Sequence, residues 1–355
     1  MRTVLTAMAL AALSAGLFFM HGAKGETLRF GVTIPEKTVT VRKAMKPWVQ
    51  DVSAASGGEL EIDLYTGGSL GRNGKLQYWM LKQGILDISW LLPSNTPNLF
   101  PSTDFFEIPL KTDDPLEMSL VFCRLYERGY LKGFDDIKPL ALYVSPPYRF
   151  HLRFPYKNSH DLRGRKIRAV THLQAILLRQ AGAVPVGGIT TTQVAENLSR
   201  GLIDGALFSW HAVKPIGIMR TTHVHVDQAI TFAPAIIAMN RTVYETLPHQ
   251  ARLAVDSLSG DPFVRRLVAA MTGAAAEAKA EARTDPKRVF IHSNPEDTAV
   301  WHQRFKDAAE KWRSGDKERD LLIVNFDKIL KQVRAELIAE ENANTTPVEK
   351  FDGEN

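Results

Sequence analysis

A single cysteine, Cys123, stands in the whole sequence. No internal disulfide can form, so stability has to come from burial in a large core. The same scarcity excludes a lipid anchor on an N-terminal cysteine. After the first twenty residues no segment is apolar enough to span a bilayer. Charge of either sign is thinly spread: 44 Lys and Arg against 39 Asp and Glu leave a formal net charge of +5, with no basic runs. That balance argues against a nucleic-acid partner, and a mild positive field suits anionic ligands better. Repeats and low-complexity stretches are also missing, which disfavours a structural or adhesive surface protein.

The usual signatures of catalysis are absent too. There is no Gly-x-Ser-x-Gly elbow, no His-Glu-x-x-His helix and no strand-linked dinucleotide fingerprint. The stretch from Gly68 to Lys75 imitates a phosphate loop but fails on spacing, and Leu76 stands where Ser or Thr would hold magnesium. His223 and His225 would face one side of a strand, a two-ligand geometry for zinc if Asp227 or His211 joined them. The plainer reading is a polar strand edge, so neither a metal nor a cofactor is expected. An exported α/β enzyme acting on organic acids is the alternative of another class, and these missing motifs weigh against it.

What is present begins at the first residues. Arg2 precedes an apolar stretch from Val4 to Met20 that closes on Gly22-Ala23-Lys24-Gly25, a signal-peptide pattern over residues 1–25 that implies export to the periplasm. The remaining chain is long enough for two cores. Leu28 to Val32, Leu60 to Tyr65 and Ile85 to Trp90 read as strands, alternating with helices at Val41 to Ser56 and Asn73 to Lys82, a β-α-β-α-β run. A second run follows the loop Ser145-Pro146-Pro147: strands at Tyr148 to Phe154, Lys166 to Val170 and Leu202 to Phe208, with helices from Leu173 and from the capping box at Thr190 to Gln193. Asp261-Pro262 announces a helix to about Arg283, Asp261 reading as its N-cap. At 1.5 Å per residue it is about 33 Å long, enough to reach across two small domains. Helices from Pro295, capped by Asn294, and from about Leu321 to Glu341 complete the chain, and 346–355 reads as a disordered tail.

Several segments, taken in order, resemble the solute-binding proteins of TRAP transporters. They are Gly58-Glu59-Leu60-Glu61-Ile62 through Gly71, Leu81 to Ile88, Phe105-Phe106-Glu107-Ile108-Pro109-Leu110, Asp161-Leu162-Arg163-Gly164-Arg165-Lys166-Ile167-Arg168, Gly201-Leu202-Ile203-Asp204-Gly205, and Asn240 to Leu247. The resemblance runs from about residue 28 to residue 285, and its order and spacing carry it. It implies a two-lobed periplasmic-binding-protein-like α/β fold with crossing strands and a long domain-spanning helix. Lobe I is then 26–146 plus 234–275, and lobe II 147–233 plus 276–345. It also implies a monomer that captures a small organic carboxylate and delivers it to the membrane permease subunits.

In that family the arginine of the Lys-Ile-Arg motif pairs with the ligand carboxylate, which here is Arg168. A rigid fork of donors meets a planar carboxylate at two points, where lysine offers one. A polar asparagine contact of the family has become Phe208, followed by Trp210. The second arginine of sialic-acid binders falls on Tyr148, with Arg149 one residue off and facing the other way on a strand. With Trp90 at a strand end, Tyr148, Phe208 and Trp210 give aromatic walls around one cation, which favours an apolar or aromatic monocarboxylate over a C4-dicarboxylate or sugar acid. The same aromatics could instead pack the lobes. Thr33, ending the first strand, is a further hydrogen-bonding candidate.

Overall fold

Alternation decides the first strands. In the segment Leu60–Tyr65, Leu60 and Ile62 are buried while Glu61 and Asp63 are exposed, the period of two that a half-buried strand requires. The computed structural model describes residues 26–345 except 97 and 314; the signal-peptide segment and the tail after 345 lie outside the described residues. The chain runs β1 (Glu26–Gly31), α1 (Lys46–Ala55), β2 (Leu60–Tyr65), α2 (Gln77–Lys82), β3 (Ile88–Leu91), α3 (Pro115–Glu127) and β4 (Ile137–Val144). It then runs β5 (Arg149–Leu152), β6 (Lys166–Arg168), α4 (His172–Gln180), β7 (Val184–Val186), α5 (Val194–Ser199), β8 (Gly205–Phe208), α6 (Trp210–Val213) and β9 (Val224–Val226). Last come β10 (Pro234–Asn240), α7 (Arg241–Thr246), α8 (His249–Leu258), α9 (Asp261–Arg283), β11 (Val289–Ile291), α10 (Pro295–Arg313) and α11 (Lys317–Thr345).

These strands form two sheets, in the orders β2-β1-β3-β10-β4 and β11-β9-β5-β8-β6-β7. In the first, β1 lies parallel to β2 and β3, while β10 runs antiparallel to β3 and β4. In the second, β5 is antiparallel to β8 and β9. Each sheet packs its own core, so two lobes result. Trp48 of α1, fully buried, stacks on Phe263 at 4.8 Å in the first core. The second sheet has a cluster around Phe150, Trp301 and Phe305 and another around Phe208, Trp210 and Ala282.

The chain passes between the lobes twice as extended segments, and these are bonded to each other. Ser145 N donates to Ala233 O at 3.0 Å, Tyr148 N to Thr231 O at 2.7 Å, and Ile230 N to Tyr148 O at 3.0 Å. The helix α9 spans the lobes as expected from its length. Phe263, Leu267 and Met271 sit in the first core, while Ala278 and Ala282 sit in the second lobe. Its cap differs from the sequence reading: Gly260, with φ 64°, is the N-cap. Asp261 is the first helical residue and its carboxylate takes both nitrogens of Arg124, at 2.9 and 2.6 Å. That bidentate pair ties α9 to α3 and leaves the capping position to a glycine that tolerates the left-handed φ.

A second correction concerns the C-terminus. Residues 276–345 were expected to belong wholly to lobe II, but α11 returns to the first core and buries Leu322, Phe326, Ile329, Leu330 and Val333 there. Phe326 meets Phe105 edge-on at 5.0 Å and is 1% exposed. An amphipathic helix settles on whichever core has an unpartnered apolar surface, and that choice is not written in its own period. We expect Phe326→Ala to cost about 3 to 5 kcal/mol of unfolding free energy in urea titrations, the usual result of emptying a packed aromatic site. A loss below about 1 kcal/mol would mean that α11 is not part of this core.

Candidate ligand-binding site

Where the two lobes face each other there is a cavity of about 360 Å³. The first lobe contributes Ile34, Thr38, Trp90 and Tyr143, the second Thr171, Gln174, Phe208 and His211, and the crossing segments Ser145, Tyr148 and Ala233. Met271 of α9 closes one side. Local structure fixes these groups. Trp90 donates its indole N–H to the Tyr143 hydroxyl at 2.8 Å, which holds the large ring against β4. Tyr148 and Phe208 stack at 5.6 Å with planes 12° apart, giving a flat aromatic wall. His211 is half-buried on the wall, and desolvation there pushes its pKa down to about 4, so the imidazole is neutral at pH 7.

Arg168 ends β6, and it is 3% exposed. Its guanidinium carbon lies 4.6 Å from the Phe208 ring centroid, a cation–π contact. Nε donates to the Ile189 carbonyl at 3.1 Å, whereas the buried Nη1 has no hydrogen-bond partner. Burial lowers its pKa to about 10, slightly opposed by the nearby Tyr148, so the charge persists at neutral pH. Among the described residues it makes no ion pair with an acid. Arg168 is not one of the residues lining the cavity as it stands; it lies against Phe208, which does.

The other residues singled out by sequence separate into two groups. Trp90, Tyr148 and Phe208 line the cavity; Trp210, Arg149 and Thr33 do not. Arg149, one residue on from Tyr148, is half-buried away from the cavity lining and donates Nε to the Asp227 carbonyl at 2.8 Å. Thr33 is half-buried, with the wall formed instead by its neighbour Ile34. Trp210 is core, edge-on to His151 at 4.9 Å and stacked on Phe290 at 5.9 Å. His225, read as a polar strand edge, is 1% exposed and bonds His151, Nδ1 to Nδ1, at 2.8 Å. His151 Nε2 meets the Phe208 carbonyl at 3.2 Å and must carry hydrogen there, so His225 Nδ1 is the donor to His151 Nδ1. Burial holds both imidazoles below the usual histidine range, keeping this pair neutral.

One wall residue was overlooked. Glu107, 2% exposed, lies between Phe106 and Ile108 and accepts a 2.6 Å hydrogen bond from Thr171 Oγ1 on Oε2. Thr171 in turn caps α4, its Oγ1 accepting from Gln174 N at 3.1 Å. Among the described residues no cation pairs with Glu107. Burial raises its pKa to about 8, against the lowering effect of Thr171 and with a small contribution from Asp104. An acid inside an apolar run was the available signal, since such a residue is either paired or protonated when the run is buried.

The comparisons with known proteins agree with this architecture. Residues 30–315 match the model of the bacterial extracellular solute-binding proteins, family 7. The chain belongs to that family, and is therefore an extracytoplasmic solute receptor rather than an enzyme. Among the described residues no helix is long and apolar enough to cross a membrane. A TRAP solute-binding protein from Rhodoferax ferrireducens T118, in complex with copurified benzoate, superposes with a TM-score of 0.79 at 24% identity, over 88% of this chain and 99% of that one. A marine metagenome TRAP protein specific for aromatic acids, in complex with 3-hydroxybenzoate, does so with a TM-score of 0.79 at 22% identity, over 88% and 99%. The outer membrane transporter protein TsaT of Comamonas testosteroni is 21% identical over 263 residues, 72% of this chain and 76% of that protein.

The protonation of Glu107 has a consequence for stability. Between its ordinary value of 4.5 and about 8, the unfolded chain ionises here while the folded chain does not. Stability therefore falls as pH rises through that window, by about 1.4 kcal/mol per unit at most, and the loss stops growing above the folded value. Glu107→Gln removes this drain. We expect the variant to gain about 1 to 3 kcal/mol over the parent at pH 7, and the gain to vanish near pH 4, in urea titrations across pH. A difference independent of pH would show that Glu107 is ionised in the folded chain.

Proposed function

We propose that the chain is the periplasmic receptor of a TRAP-type transporter, capturing a small organic monocarboxylate with an aromatic or apolar body and handing it to the membrane permease. The observation that carries this reading is Arg168: a buried guanidinium with one nitrogen unpartnered, resting on a ring of the cavity wall. An unpaired buried charge is costly, and an incoming carboxylate relieves the cost. Pairing requires a shift of the guanidinium or of the Phe208 ring, which hinged closure of two lobes can supply.

The wall chemistry supports a monoanion. Trp90, Tyr148 and Phe208 offer flat apolar surface, Arg149 lies off the wall and is spent on Asp227, and the lysine that does line the wall, Lys37, is exposed. A C4-dicarboxylate or sugar acid would find one buried cation for two anionic or many polar groups. Neighbours of the same fold, in complex with benzoate and 3-hydroxybenzoate, support the same class. The chain is proposed to act as a monomer, with its signal peptide removed on export.

A thermal-shift panel of organic acids tests this directly. Benzoate-like or branched monocarboxylates are expected to raise the melting temperature more than succinate or malate, with a stabilisation of about 2.7 kcal/mol at a hundredfold excess over Kd. A panel in which C4-dicarboxylates alone stabilise would reject the monocarboxylate class. Arg168→Ala is expected to weaken binding of the best acid by about 2 to 5 kcal/mol in titration calorimetry, the usual cost of removing one partner of a buried charge pair. Affinity within about twofold of the parent would remove Arg168 from the site.

A further inference from the structure

Glu107 stands on the wall of the cavity, and among the described residues no cation pairs with it. Thr171 Oγ1 occupies its Oε2, itself held in place by the N–H of Gln174. Phe232 N, from the return crossing, donates to the Glu107 carbonyl at 2.9 Å, so the residue is anchored at the junction of both lobes. Arg168 and Glu107 both stand near enough to Tyr148 to act on its hydroxyl, with opposite sign, so the acid and the guanidinium border the same wall residue. On the receptor reading above, the ligand's anionic end therefore docks close to a second carboxyl group. Two carboxylates there would repel in a site of low polarity.

We infer that Glu107 binds as the neutral acid and sets specificity, offering a proton on Oε1 to an uncharged ligand oxygen and rejecting ligands that bring a second negative charge. The preferred class is then a monocarboxylate carrying a hydroxyl or carbonyl group, above the unsubstituted acid and well above the dianion of the same skeleton. Ionisation of Glu107 sets an alkaline limit on binding, because the ionised form repels the ligand and has no hydrogen to donate. Burial, which raises its pKa to about 8, places that limit within reach of experiment. The other groups facing it keep their state across that limit: His211 is held near 4, and Tyr148 is raised by burial. Asp104, on the same turn, is raised from 3.8 by burial, and Lys37 also lines the cavity.

The test is calorimetry with benzoate, 3-hydroxybenzoate and isophthalate on the parent, Glu107→Gln and Lys37→Gln. Benzoate has no second ionising group, so its pH profile reports on the protein. Its affinity for the parent is expected to fall about tenfold between pH 7 and pH 9, as a wall group near 8 ionises. Lys37→Gln should keep that fall, and Glu107→Gln should flatten it to less than about twofold, whatever its absolute affinity. At pH 7 the parent should hold 3-hydroxybenzoate at least about tenfold more tightly than isophthalate, and Glu107→Gln should narrow the gap. Parent affinity that ignores pH, or a Gln variant that keeps the fall, would overturn the assignment while leaving the receptor reading intact. Failure of the parent to bind any of the three acids would sink the aromatic-acid reading and this inference with it.

Discussion

A guanidinium buried without a counter-ion is the constraint around which this molecule is arranged. Arg168 is nearly inaccessible and has an unpartnered Nη1, yet no acid among the described residues neutralises it. Proteins do not usually leave such a group unpaired unless something else arrives to pair it. The surroundings make the charge tolerable in the interim. The Phe208 face and the Ile189 carbonyl each take part of its field, and the backbone of β6 fixes where it sits.

Everything that positions this group follows from two sheets joined by paired connectors. The crossing segments near Ser145 and Ala233 bond to each other, so the lobes share a hinge that is itself a piece of ladder. Tyr148 sits in that hinge and stacks on Phe208, which links the connector to the cation-bearing sheet. The helix α9 contributes to the cores of both lobes, and α11 returns the chain to the first core.

Much of the fold could be read from residues alone because its signals are local. Strand alternation at Leu60 to Tyr65, the Asn294 cap of α10 and the length of α9 each depend on neighbours in sequence, and each stands as read. What could not be read depends on distant partners. The destination of α11 was fixed by an open apolar surface around Phe105, and the true cap of α9 by the claim of Arg124 on Asp261. At the site the same division holds. Tyr148 and Phe208, proposed from motif and strand parity, line the cavity and Arg168 packs on Phe208, while Trp210 lies in the core because α6 turns its ring onto His151 and Phe290. Glu107 went unnoticed because an acid inside the apolar run Phe105 to Leu110 signals only that it must be paired or protonated if buried, and its burial depends on distant partners. Only its burial among Thr171, Phe232 and the cavity wall makes it a chemical feature.

A crystal structure with 3-hydroxybenzoate bound would test the central claim most directly. The account predicts one carboxylate oxygen of the ligand within hydrogen-bond distance of Arg168 Nη1, with the ring against Tyr148 and Phe208. A ligand whose carboxylate lay elsewhere, with that nitrogen still unpartnered, would contradict it.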